Sequence, residues 1–368
     1  MSPDRVPAAV PFNALKPAED AAAVKAAIDR VLASGWFVLG PEVEAFEREF
    51  AAASRVPHAV GVGTGTDAIT LIFRALDIGP GDEVITTPLS AAYSALAIMM
   101  AGARPVFADI DPERLTLDPR AVEAAVTSRT RAIMPVHLYG QAADMRAIEA
   151  VAARHNLAIV EDAAQAHLAT AEARPVGTIG VAAATSFYPT KNLGAAGDGG
   201  AVLTRDAALA ARVKRLRNGG QTSRYHHEEF GVNTRLDEMQ AAILRARLSF
   251  LPAWTAKRRA IAARYRGALQ GARVRVPTEF DAGHVYHLFP VLTAERDRFQ
   301  SHMKARGIET LIHYPVAIPR QPALTSCSPA VCPLADHVCS QVVSLPMYPG
   351  LSETAAAAVA EAASTFGR

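Results

Sequence analysis

The sequence contains little cysteine, no excess of charge of either sign and no apolar run long enough to span a membrane. Its three cysteines, Cys327, Cys332 and Cys339, cluster near the end of the 368-residue chain. Their odd number and their spacings fit neither a disulfide framework nor a structural zinc site. We therefore interpret them as small apolar core residues and expect no metal centre.

The charges of the chain are nearly balanced. Lys and Arg total 38 and Asp and Glu total 36, which leaves a formal net charge of +2. So weak a field gives no reason to expect binding of nucleic acid or of an anionic membrane. Any anionic ligand must be held by a local site.

The longest stretch without charge or proline, residues 90–103 (SAAYSALAIMMAGA), is shorter than the roughly 20 residues that a membrane-spanning helix needs. We interpret this stretch as a buried helix. The N-terminal segment MSPDRVPAAVPFNAL has no basic head followed by an apolar stretch, so we expect no secretory signal and a cytoplasmic location.

Half of the residues are apolar, which supports a sizeable core, and their pattern predicts an α/β fold. Short apolar runs alternate with helical stretches from about residue 60 to residue 204, and this alternation predicts a mostly parallel sheet flanked by helices. Predicted helices begin near Asp67, Asp118 and Asp144, because aspartate favours the first turn. The predicted strands are 83–86, 105–108, 131–136, 157–160, 184–188 and 201–204.

The pattern changes after residue 204 and predicts a second, smaller domain. It is mainly helical to residue 248, Pro252 and Trp254 mark a change of direction, and a long helix is expected over residues 255–269. Mixed apolar and helical segments follow. We therefore predict a large domain over residues 1–250 and a small C-terminal α+β domain over residues 251–368.

Three segments follow predicted strands, where ligands bind in such sheets. The first, GVGTGTD at 61–67, is a glycine-rich turn that runs into a helix, and its free N–H groups suit a phosphate. It could equally be a plain turn and cap. It is not the dinucleotide fingerprint, because Thr66 stands where that motif needs glycine.

The other two segments carry a buried acid and a lysine. Asp162 follows the strand at 157–160, where a carboxylate needs a cationic partner such as a protonated pyridine nitrogen, although it could simply cap a helix. Lys191 follows the strand at 184–188 among small residues that let a ligand approach, although most lysines are solvated surface groups. A phosphate cradle, an anion and an amine together meet the requirements of pyridoxal phosphate.

With these residues in place, the sequence resembles the DegT/DnrJ/EryC1/StrS family of sugar aminotransferases, which have the fold of type I pyridoxal-phosphate enzymes. The resemblance runs nearly end to end. The segments that carry it are SGWFVLG at 34–40, GTGTDAI at 63–69, PVHLYGQ at 135–141, EDAAQAH at 161–167, SFYPTKNLGAAGDGG at 186–200, GVNTRLDEMQAAIL at 231–244 and SLPMYPGLS at 344–352.

The resemblance implies a role for each matching residue. It makes Lys191 the Schiff-base lysine, Asp162 the partner of the pyridine nitrogen and Gln165 the neighbour of the ring's phenolic oxygen. Asn233 is expected to reach the phosphate of a neighbouring subunit, which implies at least a homodimer. The phosphate ligands within one chain are expected to be Gly65, Thr66, the backbone at Asp67 and the Ser186 hydroxyl.

The sequence departs from the family pattern at two positions. Ala91 stands where relatives commonly place the aromatic residue that stacks on the cofactor ring, so Tyr93 or His137 is a candidate for that role. Leu168 replaces the usual glycine after EDAAQAH, which puts the shape of that loop in doubt but not the chemistry.

The resemblance also suggests a substrate. The stretch GIETLIHYP at 307–315, with Tyr225 and His226, looks like members that aminate position 3 of a nucleotide-linked keto sugar, with L-glutamate as donor. The expected acceptor is dTDP-3-keto-6-deoxyhexose, contacted by His313 and Tyr314, with Arg320 near its diphosphate. An alternative is that His313 and Tyr314 only pack the small domain.

Other functions remain open at this point. Amination could occur at position 4 or on a UDP- or GDP-linked sugar. Dehydratase relatives replace the lysine by histidine, so Lys191 favours transamination. A regulatory protein of the same fold is the alternative from another class, although no basic stripe supports DNA binding.

Overall fold

The computed structural model describes residues 9–325, 327 and 331–367. Part of the N-terminal segment that was interpreted as lacking a secretory signal, residues 1–8, lies outside this range. In chain order the strands are β1 His58–Val62, β2 Glu83–Thr86, β3 Arg104–Phe107, β4 Thr130–Met134, β5 Ala158–Asp162, β6 Thr170–Ala171, β7 Arg174–Pro175, β8 Ala182–Ser186, β9 Gly200–Thr204, β10 Gln221–Ser223, β11 His226–His227, β12 Phe289–Leu292 and β13 Val342–Leu345.

A seven-stranded sheet forms the centre of the fold, in the order β1-β9-β8-β5-β4-β2-β3. The run from β8 to β3 is parallel, and β9 is antiparallel to both of its neighbours. The predicted α/β fold with a mostly parallel sheet is confirmed. Strand β1 was not among the predicted strands, because it runs directly into the Gly-rich turn and this part of the chain was interpreted as that turn.

Helices lie against this sheet and continue through the C-terminal part. They are α1 Ala21–Ser34, α2 Pro41–Ala53, α3 Gly65–Ala75, α4 Tyr93–Met100, α5 Pro119–Ala125, α6 Met145–His155, α7 Ala207–Leu216, α8 Glu238–Leu248, α9 Leu251–Ala268, α10 Arg296–Lys304, α11 Pro333–Gln341 and α12 Glu353–Ser364. Asp118 and Asp144 cap α5 and α6 as predicted. None of the helices in the described part combines the length and apolarity that a membrane crossing requires.

Two predictions about helices are wrong in detail. Residues 90–103 are not a fully buried helix: α4 begins only at Tyr93, and Tyr93, Met99 and Met100 are exposed. The long helix expected over residues 255–269 begins earlier, at Leu251, so Pro252 and Trp254 lie near the start of α9, where proline lacks only an N–H that has no helical partner.

The C-terminal core also contains a piece of the N-terminal segment. Strands β12 and β13 pair antiparallel, and helices α9, α10 and α12 pack around them. Val10 is buried in the same cluster and bridges to Ile308. The division of the chain at residue 250 stays a prediction, and the bridge at Val10 shows that at least one segment before that residue packs with the residues after it.

Candidate active site

Two neighbouring strands of the parallel sheet carry the centre of the site at their carboxyl ends. Asp162 is the last residue of β5 and pairs in register with Ala184 of β8. Lys191 lies in the loop that follows β8. Parallel neighbours end at the same edge of a sheet, so the carboxylate and the amine share one site. The structure therefore brings together the two residues that the sequence indicated separately.

The Asp162 carboxylate is buried and bonded on both oxygens by neutral donors. Ser94 Oγ of α4 donates to Oδ2 at 2.7 Å, and the Ala164 N–H donates to Oδ1 at 3.1 Å. The Ala164 bond closes a turn, and residues 163–169 form no helix, so the alternative that Asp162 is a helix cap is wrong. These neutral donors satisfy the hydrogen-bonding needs of both oxygens but do not neutralise the negative charge of the carboxylate. The carboxylate is therefore suited to pair with a cationic ring nitrogen.

Lys191 is held in a tight loop. Its backbone N–H donates to the Tyr188 carbonyl at 2.8 Å, and a Cβ at Gly194 would come within 2.5 Å of the Pro189 carbonyl oxygen. Burial lowers the pKa of the Lys191 amine from 10.5 to about 8, although the nearby Asp162 carboxylate opposes that shift. A neutral amine, the form that attacks a carbonyl carbon or accepts a proton, is thus accessible close to neutral pH.

The glycine-rich turn opens α3 and leaves part of the helix N-terminus free. Thr64 is its N-cap, and the Thr64 hydroxyl accepts the Asp67 N–H at 3.0 Å. The Asp67 carboxylate in turn accepts from the hydroxyls of Thr64 at 2.8 Å and Thr234 at 2.7 Å. The Asp67 N–H is therefore not free for the predicted phosphate contact, because it already donates to the Thr64 hydroxyl. The N–H groups of Gly65 and Thr66 remain, without a partner in the described part of the chain.

Close packing between this turn and the end of β8 shapes a phosphate cradle. A Cβ on Gly65 would lie 2.8 Å from the Ser186 Cβ, and one on Gly200 would lie 2.3 Å from the Thr64 carbonyl oxygen. Only glycine at these positions lets the helix N-terminus approach the strand end. Ser186 thereby lies beside the free N–H groups, and the set fits a phosphate.

Gln165 connects the site to the C-terminal part of the chain. Its Oε1 accepts the Tyr139 N–H at 2.8 Å, and its Nε2 donates to the Tyr314 hydroxyl at 3.0 Å. The Tyr139 hydroxyl donates to the carbonyl of His313, whose ring Nδ1 lies 3.0 Å from the Ser344 hydroxyl. Tyr314 therefore contacts a predicted cofactor residue, while the substrate roles of His313 and Tyr314 stay predictions.

The pKa of His313 is lowered to about 4, by burial first and then by the charge of Lys191. Its imidazole is accordingly neutral at physiological pH. A neutral ring close to the lysine adds no positive charge to the site and does not compete with the Asp162 carboxylate for a cation.

Other predicted site residues lie away from this centre within one chain. Tyr225 and His226 are exposed on the β10–β11 hairpin, with Tyr225 80 % exposed. The Arg320 guanidinium is paired with Asp336 at 2.8 Å. Asn233 is exposed and bridges to Asn218 through its backbone. No hydrogen bond in the described part of the chain joins any of them to Lys191 or Asp162, so their roles stay predictions.

The two residues considered for ring stacking differ in their surroundings. His137 has no exposed surface; its Nδ1 accepts the Ala143 N–H at 3.1 Å and its Nε2 donates to Glu161 at 3.1 Å. That ring is part of the core and is not available for stacking. Tyr93 is 65 % exposed at the start of α4, next in sequence to Ser94.

Leu168 adopts the positive φ of 57° that the usual glycine would favour, so the backbone of that loop keeps the conformation expected for glycine.

Sequence analysis missed Ser94 and Thr234. Ser94 lies 68 positions from its partner Asp162, and only its hydroxyl within an apolar stretch could have marked it. Thr234 follows Asn233 in the motif GVNTRL and bonds to both Gly63 and Asp67. It was passed over because the motif drew attention to the asparagine.

Comparisons with known proteins agree with this site. The sequence profile of the DegT/DnrJ/EryC1/StrS aminotransferase family matches residues 18–364. A dTDP-3-amino-3,4,6-trideoxy-alpha-D-glucose transaminase of Streptomyces venezuelae is 50% identical over 96% of this chain and 95% of its own. A pleiotropic regulatory protein of Geobacillus stearothermophilus is 45% identical, covering 93% of each chain. A UDP-N-acetyl-3-dehydro-alpha-D-glucosamine 3-aminotransferase of Acidithiobacillus ferrooxidans is 44% identical over 90% of each.

Solved structures give the same result. S. venezuelae DesV, crystallised in complex with a ketimine intermediate, is 50% identical with a TM-score of 0.94, covering 96% of this chain and 97% of its own. NtdA of Bacillus subtilis with its bound cofactor PMP is 29% identical with a TM-score of 0.91, covering 98% of this chain and 86% of its own. The fold, the aminotransferase activity and a pyridoxal-phosphate cofactor, all predicted above, are confirmed. This chain belongs to the DegT/DnrJ/EryC1/StrS aminotransferase family.

Proposed function

We propose that this protein transfers an amino group from L-glutamate to carbon 3 of a dTDP-linked 3-keto-6-deoxyhexose. The observation that carries the proposal is the arrangement of Lys191 beside the buried Asp162 carboxylate, in a chain 50% identical to a transaminase named for a dTDP-3-amino sugar. The stretch GIETLIHYP at 307–315 supports position 3, because it resembles the stretch in members that aminate this position. Its Tyr314 also contacts Gln165 of the site.

The residues fit pyridoxal phosphate, which when bound supplies an aldehyde for amines and a ring that accepts electron density. Asp162 supplies the negative charge that keeps a ring nitrogen protonated, and Ser94 holds that carboxylate in place. Gly65, Thr66 and Ser186 offer phosphate donors. Lys191 Nζ, when neutral, would take the proton from the donor's α-carbon and give it to the aldehyde carbon of the cofactor.

We further propose that the active unit is a homodimer. Trp36, Phe37, Tyr188 and Tyr225 are each more than half exposed in the single chain, and Tyr188 lies three residues before Lys191. A second copy that covers these aromatic residues would bury apolar surface next to the site. Asn233, exposed here, would then face the partner's phosphate cradle. The cytoplasmic location expected from the sequence also stays a prediction.

The test is a substrate panel. Purified protein is incubated with L-glutamate and 3-keto and 4-keto sugars linked to dTDP, UDP or GDP, and the products are identified by mass spectrometry and NMR. A 3-amino dTDP sugar is the expected product. Product from 4-keto sugars alone would overturn the position.

A second candidate acceptor is a UDP-linked 3-keto sugar. It is favoured by the relative that is 44% identical and is named as a UDP-sugar 3-aminotransferase. Faster turnover of the UDP substrates in the same panel would select it over the dTDP substrate.

A further inference from the structure

Arg258 of α9 is a buried cation without an acidic partner among the residues that the structure describes. The residue is 4% exposed, and its Nη1 donates to three carbonyl oxygens, those of Met347 at 2.7 Å, Tyr286 at 3.1 Å and His287 at 3.3 Å. Its Nε is buried and has no hydrogen-bond partner within residues 9–325, 327 and 331–367. No carboxylate in the described part of the chain lies within ion-pair distance of it. Burial lowers its pKa to about 10, so the guanidinium is still charged at neutral pH.

The other buried arginines of the described residues are paired. Arg217 bonds to Glu47 at 2.5 Å, and Arg247 bonds to Asp20 at 2.8 Å. Carbonyl oxygens orient the Arg258 guanidinium but carry no net charge, so its positive charge is not compensated by any residue of the described part of the chain. A buried charge left in this condition is costly unless a ligand supplies the opposite charge.

Arg258 and Lys191 line the same cavity, which has a volume of about 320 Å³. Two further cations on its wall are already neutralised, since Arg247 pairs with Asp20 and Lys257 pairs with Glu19. Lys16, also on the wall, is exposed to solvent. Among the buried basic groups of this wall, Arg258 is therefore the one whose positive charge an anionic ligand would neutralise.

A short series of contacts connects Arg258 to the lysine loop. The His287 carbonyl accepts from Arg258, and the His287 ring Nδ1 lies 3.2 Å from Asn192 Oδ1. Asn192 directly follows Lys191, and its Nδ2 donates to the Val285 carbonyl at 3.0 Å. The guanidinium is thereby held in a fixed relation to the residue that reacts with the donor.

We propose that Arg258 binds a carboxylate of the amino donor. Resting on the proposed function, this inference adds a binding residue for the first substrate. The donor's α-carboxylate is attached to the carbon whose proton Lys191 moves, so it must lie close to that lysine. The diphosphate of a nucleotide sugar is attached to the anomeric carbon, two bonds along the ring from the keto carbon 3, so it lies farther from the reacting carbon than the donor's α-carboxylate does. With Nη1 occupied by carbonyls, Nε and Nη2 form the edge that a carboxylate bridges in bidentate pairs.

The test separates the two half-reactions, because the donor half-reaction needs no sugar. Arg258→Met and Arg258→Lys are compared with Arg259→Met, which removes the neighbouring, exposed arginine of the same helix. In single-turnover absorbance measurements, Arg258→Met is expected to raise the apparent Kd for L-glutamate roughly tenfold to a hundredfold, the loss expected for hydrogen bonds to a charged group. Reaction of the amino form of the enzyme with the keto sugar is expected to stay within about twofold of wild type.

A second readout needs no turnover. Binding of glutarate, a dicarboxylate without an amine, is measured by calorimetry on the holoenzyme, and Arg258→Met is expected to weaken it while Arg259→Met is not. If Arg258→Met does not fold, Arg258→Lys, which keeps the charge and loses the planar fork, is used alone.

Unchanged glutamate and glutarate affinities in a folded Arg258 variant would overturn the inference. A defect confined to the nucleotide sugar would also overturn it, and would assign the guanidinium to the diphosphate. A wild-type holoenzyme that L-glutamate does not convert would instead overturn the proposed donor, which distinguishes failure of the proposed function from failure of this inference.

Discussion

At the residue scale, the amine of Lys191 decides whether the chain has any amino-transfer activity. We expect Lys191→Ala to lower turnover by roughly 10³-fold or more and to abolish the visible absorbance of the lysine-linked cofactor. Lys257→Ala is the matched control, because Lys257 lines the same cavity but is paired with Glu19. Normal turnover in Lys191→Ala, or equal loss in both variants, would contradict the assignment.

The pKa of Lys191 predicts how capture of the cofactor depends on pH. Burial lowers that pKa from 10.5 to about 8, and the neutral amine is the reactive form, so capture by the cofactor-free protein should accelerate up to about pH 8 and then level off. The measurement is the rate of appearance of visible absorbance after pyridoxal phosphate is mixed with the protein.

The variant Asp162→Asn tests in which direction the Asp162 carboxylate shifts this pH profile. The Asp162 carboxylate raises the pKa of Lys191, so its removal should shift the inflection to lower pH. A shift to higher pH would show that the two groups are not coupled in this way.

Ser94 holds the Asp162 carboxylate by the hydrogen bond at 2.7 Å. We expect Ser94→Ala to lower kcat roughly tenfold, since a hydrogen bond to a charged group contributes about 1.5–3 kcal/mol. The KM for the nucleotide sugar should stay near the wild-type value, and Ser94→Thr, which keeps a hydroxyl, should restore most of kcat. An effect on KM alone would place the role of Ser94 in substrate binding.

At the scale of elements, Glu161 ties β5 to the loop before β8. Its carboxylate accepts the N–H groups of Gly177, Ile179 and Gly180, each at 2.8 Å, together with the His137 ring at 3.1 Å. Burial would raise the pKa of Glu161, but the bonds from His137 and the backbone outweigh it and the pKa is lowered. The stabilisation is therefore present above the unfolded pKa, near 4.5, and is lost as pH falls through the lower folded value.

We expect Glu161→Ala to lower the free energy of unfolding by about 3–5 kcal/mol, because three backbone N–H groups and the buried His137 ring lose their acceptor. Urea denaturation at neutral pH measures it. Glu149→Ala is the control, since Glu149 forms a surface pair with Arg174 and should cost at most about 1 kcal/mol. Equal losses in the two variants would show that the buried network does not stabilise the sheet edge.

At the scale of the whole molecule, the question is whether Asn233 acts on its own chain or on a partner. We expect Asn233→Asp to weaken cofactor binding, because a carboxylate repels phosphate. Mixing that variant with Lys191→Ala should restore activity, since a mixed dimer would contain one site with both residues intact. Refolded mixtures without any gain, at equal expression and with dimers confirmed by sedimentation, would place Asn233 in the site of its own chain.

Much of the fold and of the site centre could be predicted from the sequence. The alternation of strands and helices gave the parallel sheet, and polar residues after apolar strands marked Asp162 and Lys191, because these patterns are local. The bounds of α4 and α9 could not be predicted, since apolar runs and a proline in a first turn do not by themselves fix where a helix begins.

The sequence by itself determined the family, the sheet and the identity of the lysine and the aspartate, because each depends on short motifs and on the periodicity of apolar residues. Only the tertiary structure decided which hydrogen bonds form in the site. Ser94 bonds to Asp162, the Asp67 N–H donates to the Thr64 hydroxyl, and the His137 ring bonds to Glu161. It also left Arg258 as a buried cation that no carboxylate of the described residues pairs with. Partnerships of this kind join residues that are far apart in sequence, and they depend on how packed elements place side chains, which no local pattern records.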